Sequence, residues 1–147
     1  MITAAQLDAL DAAAASWRGT PFCEGSPVRG AGISCSHLVA EVLFEAGLTP
    51  RIPVPDGPSS SSAILSSESL IAKFIDGTGL FVRMDGFPQG GDVLGFRVGN
   101  AVHHAAVMLR GGRLVHSIRN HGVCVAPLIP AEWARRIEIV WRLKSVL

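Results

Sequence analysis

His104-Ala105-Ala106-Val107-Met108-Leu109-Arg110-Gly111-Gly112-Arg113-Leu114-Val115-His116-Ser117 is the stretch that decides how this chain folds. Two short apolar runs flank a Gly-Gly pair, which supplies the positive φ angles that a tight reversal between strands needs. The stretch therefore reads as a β-hairpin with strands over 104–110 and 113–117. Comparable runs at 92–97, 123–128 and 138–143 are rich in Val, Leu and Ile and are set apart by Gly or Pro turns. Together they predict an antiparallel meander of about five strands. Upstream the period changes. Residues 3–17 are Ala-rich with Leu7, Leu10 and Ala14 at helical spacing, and Thr3 is placed to cap them. Residues 34–46 repeat the pattern through Leu38, Val39, Val42, Leu43 and Ala46, with Ser34 as N-cap and Gly47 as stop. A third helix is predicted around 67–76, and a helical turn over 130–135. Helices first and strands after them define an α+β fold rather than alternating βαβ units.

The chain has 147 residues, the length of one domain, and the expectation is a single domain over 1–147. Hydrophobic residues make up 48% and charged residues 17%, which is enough apolar matter for a folded core. Thirteen basic against twelve acidic residues leave a net charge of +1. No basic surplus is available to neutralise a phosphate backbone, so nucleic acid is not an expected partner. Three cysteines do not make a disulfide framework and leave at least one thiol free. No apolar stretch approaches the ~20 residues of a membrane span. The first charges are Asp8 and Asp11, and no basic residue precedes Arg18, so no signal peptide is expected and the default location is the cytoplasm. Residues 48–62, with Pro50, Pro53, Pro55 and Pro58 before Ser59 to Ser62, read as a surface loop or lid.

Cys35 follows the Ser34 cap directly, in the first turn of a helix. Free N–H groups and partial positive charge there favour thiolate over thiol, so the nucleophile is expected to be partly pre-formed. The same N–H groups suit an oxyanion. A thiolate nucleophile needs a base, and the base needs an orienting partner. His104 and His116 stand on the two arms of the hairpin and are expected to face the helix together, with His103 pointing the other way because strand faces alternate. Zinc is the rival use of His103, His104, His116, His121 and Cys35. No C-x-x-C, H-x-x-x-H or H-E-x-x-H spacing occurs, and no metal is expected. With no Walker loop and no G-x-G-x-x-G, no cofactor is expected either.

Several segments in order resemble the NlpC/P60 family of cysteine peptidases, over roughly Trp17 to Arg142. Trp17-Arg18-Gly19-Thr20-Pro21-Phe22 is similar to the family's W-x-G-T-P-Y. Gly32-Ile33-Ser34-Cys35-Ser36-His37-Leu38-Val39 is similar to its G-x-D-C-S-G-L-V nucleophile box. Gly91-Asp92-Val93-Leu94-Gly95-Phe96 resembles G-D-L-V-F-F, His104-Ala105-Ala106-Val107 resembles H-V-G-I, and His116-Ser117 closes the next strand as H-A or H-S does. Gly122-Val123, Pro127-Leu128 and Trp133 fit the family's tail.

The resemblance implies a papain-like fold, with the nucleophile helix packed on the sheet. It implies Cys35 as nucleophile, His104 as base then acid, and His116 as the orienting third member. Phe22, Ser34, Ser36, His37 and His103 would contact substrate. The implied partner is a peptidoglycan stem peptide, cut between D-glutamate and a diamino acid. The size of the chain resembles members encoded with phage tails or gene-transfer particles, which implies phage-tail-like proteins as partners and delivery to the cell wall.

The chain departs from the family at three places. Phe22 stands for the family Tyr and cannot donate a hydrogen bond, in a chain with no Tyr at all. Ser34 stands for an Asp that helps bind the substrate's amino group, and His37 stands for a Gly. These departures motivate two alternatives, a catalytically weak or inactive structural module of a phage-tail-like assembly and a thiol amidase or acyltransferase on another substrate. Cys23, next to Phe22, is expected to be an incidental thiol and Cys124 a core residue.

Overall fold

The computed structural model describes residues 1–25, 27–55, 67–128 and 131–147. Helix α1 spans Ala4–Trp17, α2 Cys35–Glu45 and α3 Leu70–Gly77. Each starts at a hydroxyl cap. Thr3 accepts from the Gln6 N–H while the Gln6 side chain accepts from the Thr3 N–H, which satisfies two orphan donors reciprocally. Ser34 and Ser69 cap α2 and α3. A four-residue helix, α4 (Ala131–Ala134), precedes the last strand. Part of the expected 48–62 loop and Pro130 of the expected 130–135 turn lie outside the described residues.

The strands are β1 Phe81–Met84, β2 Val93–Val98, β3 Ala101–Met108, β4 Arg113–Ile118, β5 Gly122–Pro127 and β6 Ile137–Leu143. They form one antiparallel six-stranded sheet in the order β1-β6-β2-β3-β4-β5. The predicted meander holds for β2 to β5 only. β6 returns to the far side of β2, and β1, which was not expected, pairs with it there. Gly111 and Gly112 sit at φ of 71° and 72° in the β3–β4 reversal, as the hairpin reading requires.

Side-chain alternation sorts the core onto the two faces of the sheet. Val93, Ala105, Val107, Val115 and Trp141 pack with Leu10, Trp17, Leu38, Val39 and Ile75 of the helices. Leu94, Phe96, Ala106, Met108, Leu114 and Val140 form a second cluster on the other face, under Trp133 and Ala134 of α4. The Gly-Thr of the 17–22 motif is structural. The N–H of Gly19 donates to Val123 O and the N–H of Val123 donates to Thr20 O, so the segment covers the start of the β5 edge. Gly122, at φ +76°, permits this: a Cβ there would stand 2.5 Å from Thr20 O.

Asp92 is 2% exposed. Both of its carboxylate oxygens accept from the Arg142 guanidinium, at 2.9 and 2.8 Å, and one also takes the Gln89 N–H at 2.8 Å. The Gly-Asp of the 91–96 motif is therefore an anchor between the turn before β2 and the end of β6. Removing one partner of such a pair leaves the other charge desolvated and unmatched. Asp92→Ala is expected to destabilise the fold by about 3 kcal/mol, read as a lowered urea midpoint with an unchanged slope; an unchanged midpoint would show that the pair adds nothing net.

Candidate active site

The site is built where β3 and β4 part. Their registered pairing covers only Val107↔Val115 and Met108↔Leu114. Beyond that, the first turn of α2 takes up the freed backbone and side-chain groups. The Ser117 hydroxyl donates to Ile33 O at 2.8 Å, and the Cys35 sulfur accepts from the Ala105 N–H. The approach to α2 is held from a second side, because the Ile33 N–H donates to Pro21 O and Cys23 N–H to Ile33 O. Cys35 is thus fixed at the mouth of the opening, buried, at the capped start of its helix.

His104 and His116 meet across this opening, with His104 Nε2 2.9 Å from His116 Nδ1. The two rings are 8% and 1% exposed. Since Nε2 is occupied, Nδ1 is the nitrogen of His104 left for Cys35. If Nδ1 is to accept a proton, His104 carries its hydrogen on Nε2 and donates it to His116, which fixes the tautomer.

The expected orientation of the histidines needs correction. They lie on the face of the second cluster, not the face of α2: both rings stand 5.2 Å from the Trp133 ring, and His104 stands 5.6 Å from Phe96. Regular alternation from the hairpin puts them there, in step with Ala106, Met108 and Leu114, and a β-bulge lies just before His104. Phe96 pairs with His104 but Arg97 pairs with Val102, so His103 is an extra residue on β3. β6 carries a matching extra residue at Glu138, because Gly95 pairs with Ile139 and Phe96 with Ile137. Bulges re-aim side chains. Here one breaks the alternation, so that His103, expected to point away from His104, lines the same cleft.

The charge state also differs from expectation. Burial pushes the Cys35 thiol above its ordinary range. Hydrogen bonds from the Ala105 N–H, the Ser36 hydroxyl and N–H and its own N–H oppose this without winning. Burial, and then the neighbouring His116, hold His104 down at about 3, and burial holds His116 at about 4. The resting pair is a neutral thiol and a neutral imidazole, not a pre-formed thiolate. The helix N-terminus favours negative charge by an amount that desolvation exceeds.

A cleft of about 910 Å³ opens over these groups. Every residue expected to act or to touch substrate lines it: Cys35, His104, Phe22, Ser34, Ser36, His37 and His103, with the exception of His116, which sits behind His104. Ser34 Oγ caps the His37 N–H and lies 2.8 Å from His37 Nδ1, so that ring is tied to the cap. Phe22 lies under the Arg119 guanidinium at 5.4 Å. Cys23 is exposed and Cys124 half-buried on β5, and all three thiols are free. Three contributors were not anticipated. Leu70, Ile71 and Phe74 of α3 supply an apolar wall, Arg119 a cationic rim, and Trp133 a lid on the histidines. Only Trp133 had a signal in the sequence, as the lone aromatic of the 130–135 turn. Among the described residues no group of three or more His, Cys, Asp and Glu could hold a metal ion, and no helix is long and apolar enough to cross a membrane.

The fold matches solved NlpC/P60 structures. The chain aligns with an NlpC/P60 family protein from Bacillus cereus ATCC 10987 at TM-score 0.60 and 22% identity, over 93% of this chain and 40% of that one. With the NlpC/p60 domain of the peptidoglycan hydrolase SagA the TM-score is 0.55 and the identity 18%, over 91% and 96%. With RipD of Mycobacterium tuberculosis, a non-catalytic NlpC/p60 domain protein adapted to peptidoglycan binding, the values are 0.56 and 16%, over 95% and 97%. The chain spans about two fifths of the Bacillus cereus protein. No protein-family model matches the chain, and no curated protein matches it. At these identities the likeness carries the fold.

Proposed function

We propose that this chain is a cysteine peptidase acting on peptidoglycan stem peptides, at the bond between D-glutamate and a diamino acid. The observation that carries this reading is the 2.9 Å bond between His104 and His116 at the opening where the Cys35 sulfur meets the Ala105 N–H. A nucleophile, a base and an orienter for the base are the parts that acyl transfer needs.

From the neutral resting pair, the Cys35 proton moves to His104 Nδ1 as the sulfur bonds the peptide carbonyl carbon. The π electrons pass to the carbonyl oxygen, which the N–H groups at the start of α2 stabilise. His116 stays hydrogen-bonded to Nε2 and steadies the imidazolium. Collapse breaks the C–N bond, and His104 gives its proton to the leaving amine. Water then attacks the acyl carbon and loses a proton to His104, the C–S bond breaks, and the proton returns to sulfur.

Incubation of the reduced protein with defined stem peptides, read by mass spectrometry, tests the reading. Two fragments whose masses sum to the substrate plus one water are expected, split after D-glutamate. Intact substrate across a panel of stem peptides sinks it.

A second reading is a binding module without turnover. The raised thiol pKa and the missing phenol at Phe22 favour it, and RipD sets a precedent for the fold. A thiol-reactive probe separates the two: rapid labelling of Cys35 near neutral pH, slowed by His104→Ala, counts against an inert site. An amidase or acyltransferase would use the same three residues and differ only in substrate. For phage-tail-like partners, the sequence resemblance is the sole support.

A further inference from the structure

The histidine pair is enclosed by aromatic rings that the proposed chemistry does not use. Trp133, on the four-residue helix α4, stands 5.2 Å from His104 at an interplanar angle of 41°, and 5.2 Å from His116 at 76°. It also meets Phe96 edge-on, at 5.3 Å and 77°. The rings of His104, Phe96 and Trp133 therefore form one triangle of mutual contacts, and those of His104, His116 and Trp133 a second. Trp133 is half-buried, with its inner side on the histidines, and it lines the cleft. The Arg136 guanidinium lies 5.5 Å from its ring and is paired with Glu132 at 3.6 Å.

We propose that Trp133 is a positioning residue for the histidine pair: its indole packs on both rings at the edge of the cleft, fixes their planes and limits the water that reaches them. This rests on the reading of His104 as the base. Other titratable and charged groups stand around the pair. Cys35, His37, His103, Glu24, Lys73 and Arg119 line the cleft that His104 lines, and Cys124 lies opposite His116 on β5. From the α4 side the charged groups are Glu132 and Arg136. Among the described residues no carboxylate contributes to the titration of either ring, so solvent exclusion is the means by which the pair stays neutral. Both rings respond as buried groups do, held at about 3 and about 4. Removing the indole admits water, which stabilises the imidazolium, so the histidines should titrate nearer to 6.5.

The test is histidine titration by NMR in the whole chain, comparing the native protein with Trp133→Ala and Trp133→Leu. Leu keeps an apolar group on Phe96 but is too small to span both histidines, so it serves if Ala fails to fold. In the native protein neither His104 nor His116 should titrate above pH 5. In a folded Trp133 variant, at least one should titrate at least a full pH unit higher. An unmoved titration in a folded variant overturns the proposal, as does a native protein whose pair titrates near 6.5. Hydrolysis of stem peptides is assayed beside it. A moved titration with no hydrolysis by any form upholds the role of Trp133 and removes the peptidase reading.

Discussion

Cys35→Ala is expected to abolish hydrolysis of the stem peptide, and His104→Ala to slow it by about 10²- to 10⁴-fold. The two losses have different origins. Without the sulfur there is no acyl-enzyme, and the helix N-terminus alone can only polarise a carbonyl. Without His104 the sulfur remains, but its proton has no acceptor. Because burial holds that thiol above its ordinary range, the thiolate fraction near neutral pH is small, and the base carries more of the barrier than it would beside a pre-formed thiolate. His104→Ala should therefore recover part of its rate as the pH is raised, while Cys35→Ala should not. Initial rates by chromatography between pH 6 and 9 check this. A His104→Ala variant that keeps the native rate near neutral pH would remove the base role from His104.

Acid should weaken the fold well before the carboxylates respond. Free histidine titrates near 6.5, whereas His104 and His116 are held at about 3 and about 4 by burial. As the pH falls through 6.5, the unfolded chain binds two protons that the folded chain does not, so stability falls with pH. The loss starts near 6.5 and stops growing only once the folded rings protonate, below about 4. Across two pH units two such groups give on the order of 5 kcal/mol, against about 5–15 kcal/mol for a typical domain. Asp76 does not share this window, because Arg83 holds its carboxyl below the usual carboxylate range. The melting temperature should drop steeply between pH 7 and 4.5, and His116→Gln, which removes one of the two groups, should roughly halve the slope. A melting temperature that is flat over that range contradicts two buried neutral histidines.

What could be read from the sequence was local. The Ser34 cap, the Cys35 position and the two histidines on hairpin arms follow from neighbouring residues, and all three appear in the structure. The charge state of the thiol was not legible, since a helix terminus is visible in a sequence and the depth at which it is buried is not. β1 was missed because Phe81–Met84 is short and its pairing partner lies some sixty residues away. The return of β6 beside β2 is likewise a long-range choice. The paired bulges around Phe96 were hidden for another reason: alternation is the only face rule a sequence offers, and a bulge is its exception. Trp133 could be seen as a residue but not as a neighbour of His104, from which it is 29 positions removed.

The extra residue at position 103 makes the site a matter of parity. Val102 faces the helices and His104 faces away from them, although two residues apart they should share a side. His104 keeps step with Ala106 and Met108, and the odd count that sets it against the strand's first residues falls between it and the start of β3. A change of side chain at 103 leaves the count alone. Loss of that residue, or gain of one beside it, turns either the base or the strand's first residues to the wrong side. In such a site the chemistry is more exposed to a shift in chain length than to most replacements of a side chain.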